Sequence, residues 1–376
     1  MPRWLNVLAI FLPIAAALEI AHSHYQAAWA TPTWIFLASV AAIIPAAGWM
    51  GHATEHLGAR LGEGIGGLLN ATFGNAAELI IAGMALLEAS RNADRAAAMH
   101  EIVKASLTGS IIGNVLLVFG LAVLVGGLRF QQQSFNATAG RVGSTLMMLA
   151  TIALLLPALF AYMLPADQAH LSDISLEYSV LMLVVYGLSL LFSLITHRGY
   201  YQGQKAVGEE HEREAHWSVT KSLLVLLGAT VCVGLLAEFM IGSVHEASHN
   251  LGLSDVFVGV IVVAIVGNAA EHSTAIIMAW RNRMDLALAI AVGSSIQIAL
   301  FVAPALVLFS HAVGPRMNLV FSMPEMVAVF VCVWVISQIA VDGESNWLEG
   351  VLMLSVYIML GLLFFYLPGG QPAPAP

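Results

Sequence analysis

The sequence predicts an all-α integral membrane protein of about eleven transmembrane helices. Three observations predict it. Hydrophobic residues make up 59% of the 376 positions, with a mean hydropathy of +0.84. Charged residues reach only 10%, against roughly 25% in an ordinary soluble domain. Apolar runs recur along the whole chain, each close to the roughly 20 residues that a helix needs to cross a bilayer. A soluble fold has no use for so much apolar surface, whereas lipid solvates it.

The runs fall near 5–22, 32–51, 68–88, 106–126, 142–164, 176–196, 219–242, 255–279, 286–310, 323–341 and 348–367. The first, with Arg3 ahead of it and Ala28-Trp29-Ala30 behind it, loosely resembles a signal peptide. Glu19, His22 and His24 make a poor approach to a cleavage site, so a retained N-terminal helix over 1–31 is expected. Pro13, Pro45, Pro157 and Pro304 lie inside runs, where neighbouring membrane helices can satisfy the freed backbone groups. Cys232 and Cys332 each stand alone in an apolar run and read as buried free thiols. Tryptophans near the run ends read as interfacial anchors.

The net charge of -9 would speak against nucleic acid in a soluble protein. Here the distribution of charge over the loops matters more. With the N-terminus inside, the inner loops carry ten Lys and Arg and the outer loops four, which favours a cytoplasmic N-terminus. The segment 89–105 is the misfit, since its Arg91, Arg95 and Lys104 are mixed with acids on the outer side. The longest polar stretch, 197–218, carries Glu209-Glu210-His211-Glu212-Arg213-Glu214. It reads as an acidic cytoplasmic linker, either simply solvated or a short cation-attracting helix. Residues 368–376 read as a disordered tail.

The strongest signal is internal. Residues 74–78 read Gly-Asn-Ala-Ala-Glu, and residues 267–271 repeat the same five. Each copy lies in the second helix of a five-helix block, 32–196 or 219–367. Each is followed by a Gly-Ser pair, Gly109-Ser110 or Gly293-Ser294, and preceded by a glutamate near a helix end, Glu55 or Glu246. A five-helix unit starts and ends on opposite sides of the membrane, so two in succession are inverted. Inverted repeats are a common plan of secondary transporters, with the site where the repeats meet.

The repeated residues suit a cation. Asn75 and Glu78 are three apart and share a helical face, as do Asn268 and Glu271. An intramembrane carboxylate is costly and marks a functional site by default. Two carboxylates from opposed repeats, backed by Asn oxygens, make an all-oxygen site for a hard cation such as Ca2+. Gly74 and Gly267 allow close backbone approach. Ser110, Asn114, Ser294 and Gln297 add neutral oxygens one helix later. Two such carboxylates repel when empty, so protons and a divalent cation compete for them. Combined with alternating access, that competition is antiport. No cofactor is implied; the ion is the transported substrate.

These residues resemble the Ca2+/H+ antiporter (cation/proton exchanger) family. The first signature runs from Gly66-Gly67-Leu68-Leu69-Asn70-Ala71-Thr72-Phe73 through Gly74-Asn75-Ala76-Ala77-Glu78, and the second is Val266-Gly267-Asn268-Ala269-Ala270-Glu271-His272. Family-like stretches follow at 109–114, 293–302 and 342–350. The resemblance implies one helix followed by two inverted five-helix repeats. It implies that Glu78 and Glu271 carry cation and proton, with Asn75 and Asn268 beside them. It also implies that Glu55, Glu238 and Glu246 guide ions to the site. Without an organellar or autoinhibitory extension, a prokaryotic plasma membrane is expected.

Two alternatives stay open at this point. Sodium/calcium exchangers share intramembrane acids, but their repeats carry Ser/Thr-Pro where this chain has Ala-Ala. A zinc metalloenzyme would use His52-Ala53-Thr54-Glu55-His56, which fits H-x-x-E-H. The match has no evident third ligand, and thirteen histidines make a chance match easy. His272, directly after Glu271, points elsewhere on a helix; it either tunes proton binding or makes a local polar contact.

Overall fold

The computed structural model describes residues 6–61, 63–164, 168–197 and 217–367. The polar core of the linker and the tail fall outside these residues. Every apolar run is helical. In chain order the helices are α1 Leu8–Ser23, α2 Pro32–Leu61, α3 Glu63–Phe73, α4 Ala76–Arg91, α5 Ala93–Phe130, α6 Ala137–Met163 and α7 His170–Thr196. The second half holds α8 Val219–Leu251, α9 Asp255–Gly267, α10 Ala269–Trp280, α11 Met284–Val313, α12 Met323–Ile339 and α13 Trp347–Tyr366. The short strands β1 Gln132–Ser134 and β2 Glu344–Asn346 pair antiparallel, with Gln133 opposite Ser345.

Among the described residues, α2, α5, α6, α7, α8, α11 and α13 are long and apolar enough to cross a membrane, and the bent pair α9–α10 adds an eighth span if taken as one. The helices α1 and α12 are shorter. The chain is therefore an integral membrane protein, but eleven crossings are not reached on length. The physical reason is local. The repeated motif breaks two of the apolar runs, leaving α3 and α4 at 11 and 16 residues and a 63° bend between α9 and the following helix.

The elements begin and end where short-range chemistry dictates. Asn136 Oδ1 accepts from the amides of Thr138 and Ala139 and starts α6. Ser218 caps α8, and Ser322 with Glu325 forms a reciprocal capping box on α12. Asn346 and Glu349 do the same for α13. Gly252, at φ 68°, closes α8 in the left-handed conformation that glycine adopts without strain. Pro45 and Pro157 are buried inside α2 and α6, where packed neighbours surround them.

The two halves interlock. The long helices α2 and α8 pack along each other, and α8 also rests on α4. The innermost helices are α5 and α11, whose apolar stretches are 72% and 67% buried, against 17% for α7 and α13. Both central helices carry a π-helical turn just after their Gly-Ser pair, Gly113–Phe119 in α5 and Ile298–Val302 in α11. Such turns widen the backbone ladder by one residue and recur at functional sites.

The misfit segment 89–105 is not a free loop. Asn92 alone separates α4 from the turn that opens α5. Arg91 pairs with Glu238 at 3.1 Å, and Arg95 lies 3.8 Å from Glu88 and 4.0 Å from Glu246. Lys104 lies inside α5, bonded to Asn318 Oδ1 and Val320 O. These cations are occupied by protein acceptors, so a count of loop charges misjudges them.

Candidate functional site

Both copies of the repeat sit at a helix break. In the first, Gly74 and Asn75 interrupt the run between α3 and α4, and Asn75 precedes the first turn of α4 that carries Glu78. In the second, Asn268 interrupts the run between α9 and α10, with Glu271 in the first turn of α10. The helix expected to run through each copy is interrupted there, and each Asn immediately precedes the helix whose first turn carries its Glu. Each Asn stands at the break itself, and each carboxylate lies at a helix N-terminus, where free N–H groups and the helix dipole favour negative charge.

The breaks meet. A Cβ on Gly267 would come within 3.0 Å of Glu78 Cγ, so the glycine of the second copy is the wall against which the glutamate of the first copy lies. Gln297 Oε1 lies against Gly74 in the same sense, 3.5 Å from where a Cβ would stand. Asn75 Nδ2 donates to Gln297 Oε1. Across the pair, Asn114 Nδ2 donates to Asn268 Oδ1 at 3.1 Å, and Asn268 Nδ2 reaches Ser110 Oγ at 2.9 Å and Ala264 O at 2.8 Å. Ser294 Oγ donates to Glu271 Oε2.

Asn75, Asn268, Asn114, Ser110, Ser294 and Glu78 are buried, while Glu271 and Gln297 are half-buried. Among them, Asn75 Oδ1 and both oxygens of Glu78 accept no hydrogen bond. Buried acceptors without donors are rare and call for an explanation. A small cavity beside them is lined by Glu78, Ile81, Ser106, Leu107, Ser110 and Val263. The two unengaged Glu78 oxygens at this cavity can take a hard cation or a proton.

The outlying glutamates do not join this centre. Glu238 and Glu246 lie on α8 and face Arg91 and Arg95 at an exposed rim. Glu55 is exposed near the end of α2. Beside it, the rings of His52 and His56 lie 4.7 Å apart, and both pack on Trp217, which Lys221 covers at 4.3 Å. Among the described residues, no group of three or more His, Cys, Asp or Glu side chains is arranged to hold a metal. His272 is half-buried, and its Nε2 accepts no hydrogen bond. Cys232 and Cys332 are free thiols.

The sequence reading missed the glycine-to-glutamate contact and the cross-half pairings of Asn75 with Gln297 and Asn268 with Asn114. The repeat itself held the signal for the first, because only a residue without a side chain admits a carboxylate at that wall.

The fold has known counterparts. The family model for the sodium/calcium exchanger protein matches residues 31–195 and 221–366. The Ca2+/H+ antiporter ChaA of Bacillus subtilis is 43% identical over 95% of this chain and 99% of its own length. The chain belongs to the Ca2+/H+ antiporters of the sodium/calcium exchanger family. A Ca2+/H+ antiporter of Synechocystis is 42% identical over 96% of this chain and 97% of its own. The solved structure of native YfkE, at 38% identity, superposes with a TM-score of 0.81 over 97% of this chain and all of its own. The H+/Ca2+ exchanger CAX, at 13% identity, shares the fold with a TM-score of 0.68 over 96% of this chain and 91% of its own. The family is one of ion transporters, so this antiporter relative is a transporter and not an enzyme. That sets aside the zinc reading of His52, Glu55 and His56.

Proposed function

We propose that the protein exchanges Ca2+ for H+ by alternating access, and that the two ions compete for Glu78 and Glu271. The observation that carries this reading is the buried Glu78 carboxylate, both of whose oxygens lack a donor, set against Gly267 of the other half. Ca2+ takes six to eight oxygen ligands and accepts carboxylates, amide oxygens and backbone carbonyls. Protonation neutralises the same carboxylates. One centre that holds either cargo, but not both, couples their movement in opposite directions.

The breaks support a site at the junction of two repeats, 32–196 and 219–367, which we read as inverted five-helix units after the helix of 1–31. Discontinuous helices that end at a transport site are the recurrent way to bring backbone groups to an ion inside a membrane. Three bacterial relatives are 42–43% identical, whereas vacuolar relatives from fungi and plants lie between 32% and 38%. This supports a prokaryotic plasma membrane, with the N-terminus placed in the cytoplasm by the Lys/Arg balance.

The test uses purified protein in liposomes with an imposed pH gradient, following Ca2+ uptake and luminal pH together. Uptake that needs the gradient, dissipates it and vanishes in Glu78→Gln and Glu271→Gln is expected. Uptake driven by Na+ and indifferent to pH would replace this reading with sodium coupling.

A further inference from the structure

A half-buried lysine lies outside the site yet is tied to it. Lys104 is in the first half of α5, within an apolar membrane-spanning helix, where an ionisable side chain demands a reason. Its ammonium donates to Asn318 Oδ1 at 3.0 Å and to Val320 O at 2.8 Å, both in the segment that leads into α12. Glu325 stands in the first turn of α12 and is buried. It accepts from the Ser322 amide at 2.8 Å and the Ser322 hydroxyl at 2.6 Å, and from Thr108 Oγ1 at 3.0 Å. Lys104 and Thr108 are one helical turn apart and share a face. Two polar ties therefore press the start of α12 onto one side of α5.

The neighbouring face of α5 has no slack. A Cβ on Gly109 would run into the main chain of Val260 in α9, and one on Gly259 would come within 2.6 Å of Ala105 Cβ and 3.0 Å of Ile102 O. The two backbones cross in contact. Just beyond that crossing, α5 presents Ser110 and Asn114 to Asn268, at 2.9 and 3.1 Å. α5 is thus held by α12 on one face and by α9 on the face beside it, and the residues that orient the second Asn of the repeat sit at the end of the held segment.

We propose that Lys104, with Thr108 and Glu325, is a positioning residue of the transport site: it braces α5 against α9 so that Ser110 and Asn114 hold Asn268 in place. This rests on the cation-binding reading of the repeat. Lys104 touches no transported ion; it acts through the height and contact of α5.

The test is a double-mutant cycle on Ca2+ uptake in pH-driven liposomes. It uses the unaltered protein, Lys104→Met, Ser110→Ala and the pair. If Lys104 acts through Ser110, the effects overlap. Each single change then raises the KM for Ca2+ about fivefold with the saturated rate little changed, and the pair is no worse than either alone. Thr108→Val, run through the same cycle, removes the second tie without stranding a charge. It decides the matter should Lys104→Met fail to fold. Effects that multiply in the cycle would overturn the proposal, and so would an unchanged KM in folded Lys104→Met. Absence of Ca2+/H+ exchange in the unaltered protein would count against the transport reading instead, which keeps the two failures distinct.

Discussion

The two copies of Gly-Asn-Ala-Ala-Glu are identical in sequence and differ in what surrounds them. In the second copy, Asn268 is fully engaged, accepting from Asn114 and donating to Ser110 and Ala264 O, and Glu271 receives the Ser294 hydroxyl. In the first copy, Asn75 spends its amide on Gln297 and keeps its oxygen free, and Glu78 has both oxygens free. One copy is braced and the other is receptive. The difference comes from the helices that face them: α5 brings Ser110 and Asn114 to the second copy, whereas α11 brings Gln297 to the first. An internal repeat therefore supplies matching chemistry, and the partners of each copy decide how it is spent.

The largest expected effect removes the shared element. Glu78→Gln and Glu271→Gln should each lower Ca2+/H+ exchange by a hundredfold or more (roughly 3 kcal/mol, the scale of a charged buried contact), measured as Ca2+ uptake in liposomes. If Glu271→Gln alone retained half its rate, the braced copy would be a scaffold and not a carrier.

Next come the glycines, which separate the copies. An added Cβ at Gly267 meets the flexible side chain of Glu78 at 3.0 Å, whereas one at Gly74 meets the main-chain oxygen of Asn70 at 2.6 Å. Gly267→Ala should fold and raise the KM for Ca2+ by about tenfold. Gly74→Ala should strain the backbone and cost about 1–3 kcal/mol of stability, read as a lower midpoint in a thermal-shift assay in detergent. Equal behaviour of the two would mean that the copies are equivalent after all.

Ser294→Ala removes the hydroxyl that Glu271 receives and leaves the first copy untouched. A hydrogen bond to a charged group contributes about 1.5–3 kcal/mol, so Ca2+ uptake at subsaturating Ca2+ should fall by about tenfold or more. The smallest effect lies at the rim. Arg91 and Glu238 form an exposed pair, with side chains 59% and 48% accessible. Such pairs contribute no more than about 1 kcal/mol, and Arg91→Gln should leave the KM within about twofold. A larger change there would make the rim part of the ion path.

Much of this was legible in the sequence. The membrane class followed from apolar content, and the site followed from a five-residue identity repeated with a Gly-Ser pair one helix later. Side-chain periodicity located Ser110, Asn114, Ser294 and Gln297 near the motif. It did not reveal the breaks at Asn75 and Asn268, because a helix interrupted for one or two residues keeps the apolar pattern of a continuous one. It could not show that Arg91, Arg95 and Lys104 are occupied by protein acceptors, since Glu238, Glu246, Asn318 and Val320 each lie more than a hundred residues from their partners. The exposed positions of Glu238 and Glu246 have the same cause: their arginines come from the other half of the chain.

Competition between Ca2+ and protons for one pair of carboxylates can be read directly. Calorimetric titration of the purified protein with Ca2+, repeated in two buffers of different ionisation enthalpy, counts the protons released as Ca2+ binds. Proton release on binding, lost in Glu78→Gln and in Glu271→Gln, is the predicted result. Ca2+ binding with no proton released in the unaltered protein would contradict a shared site.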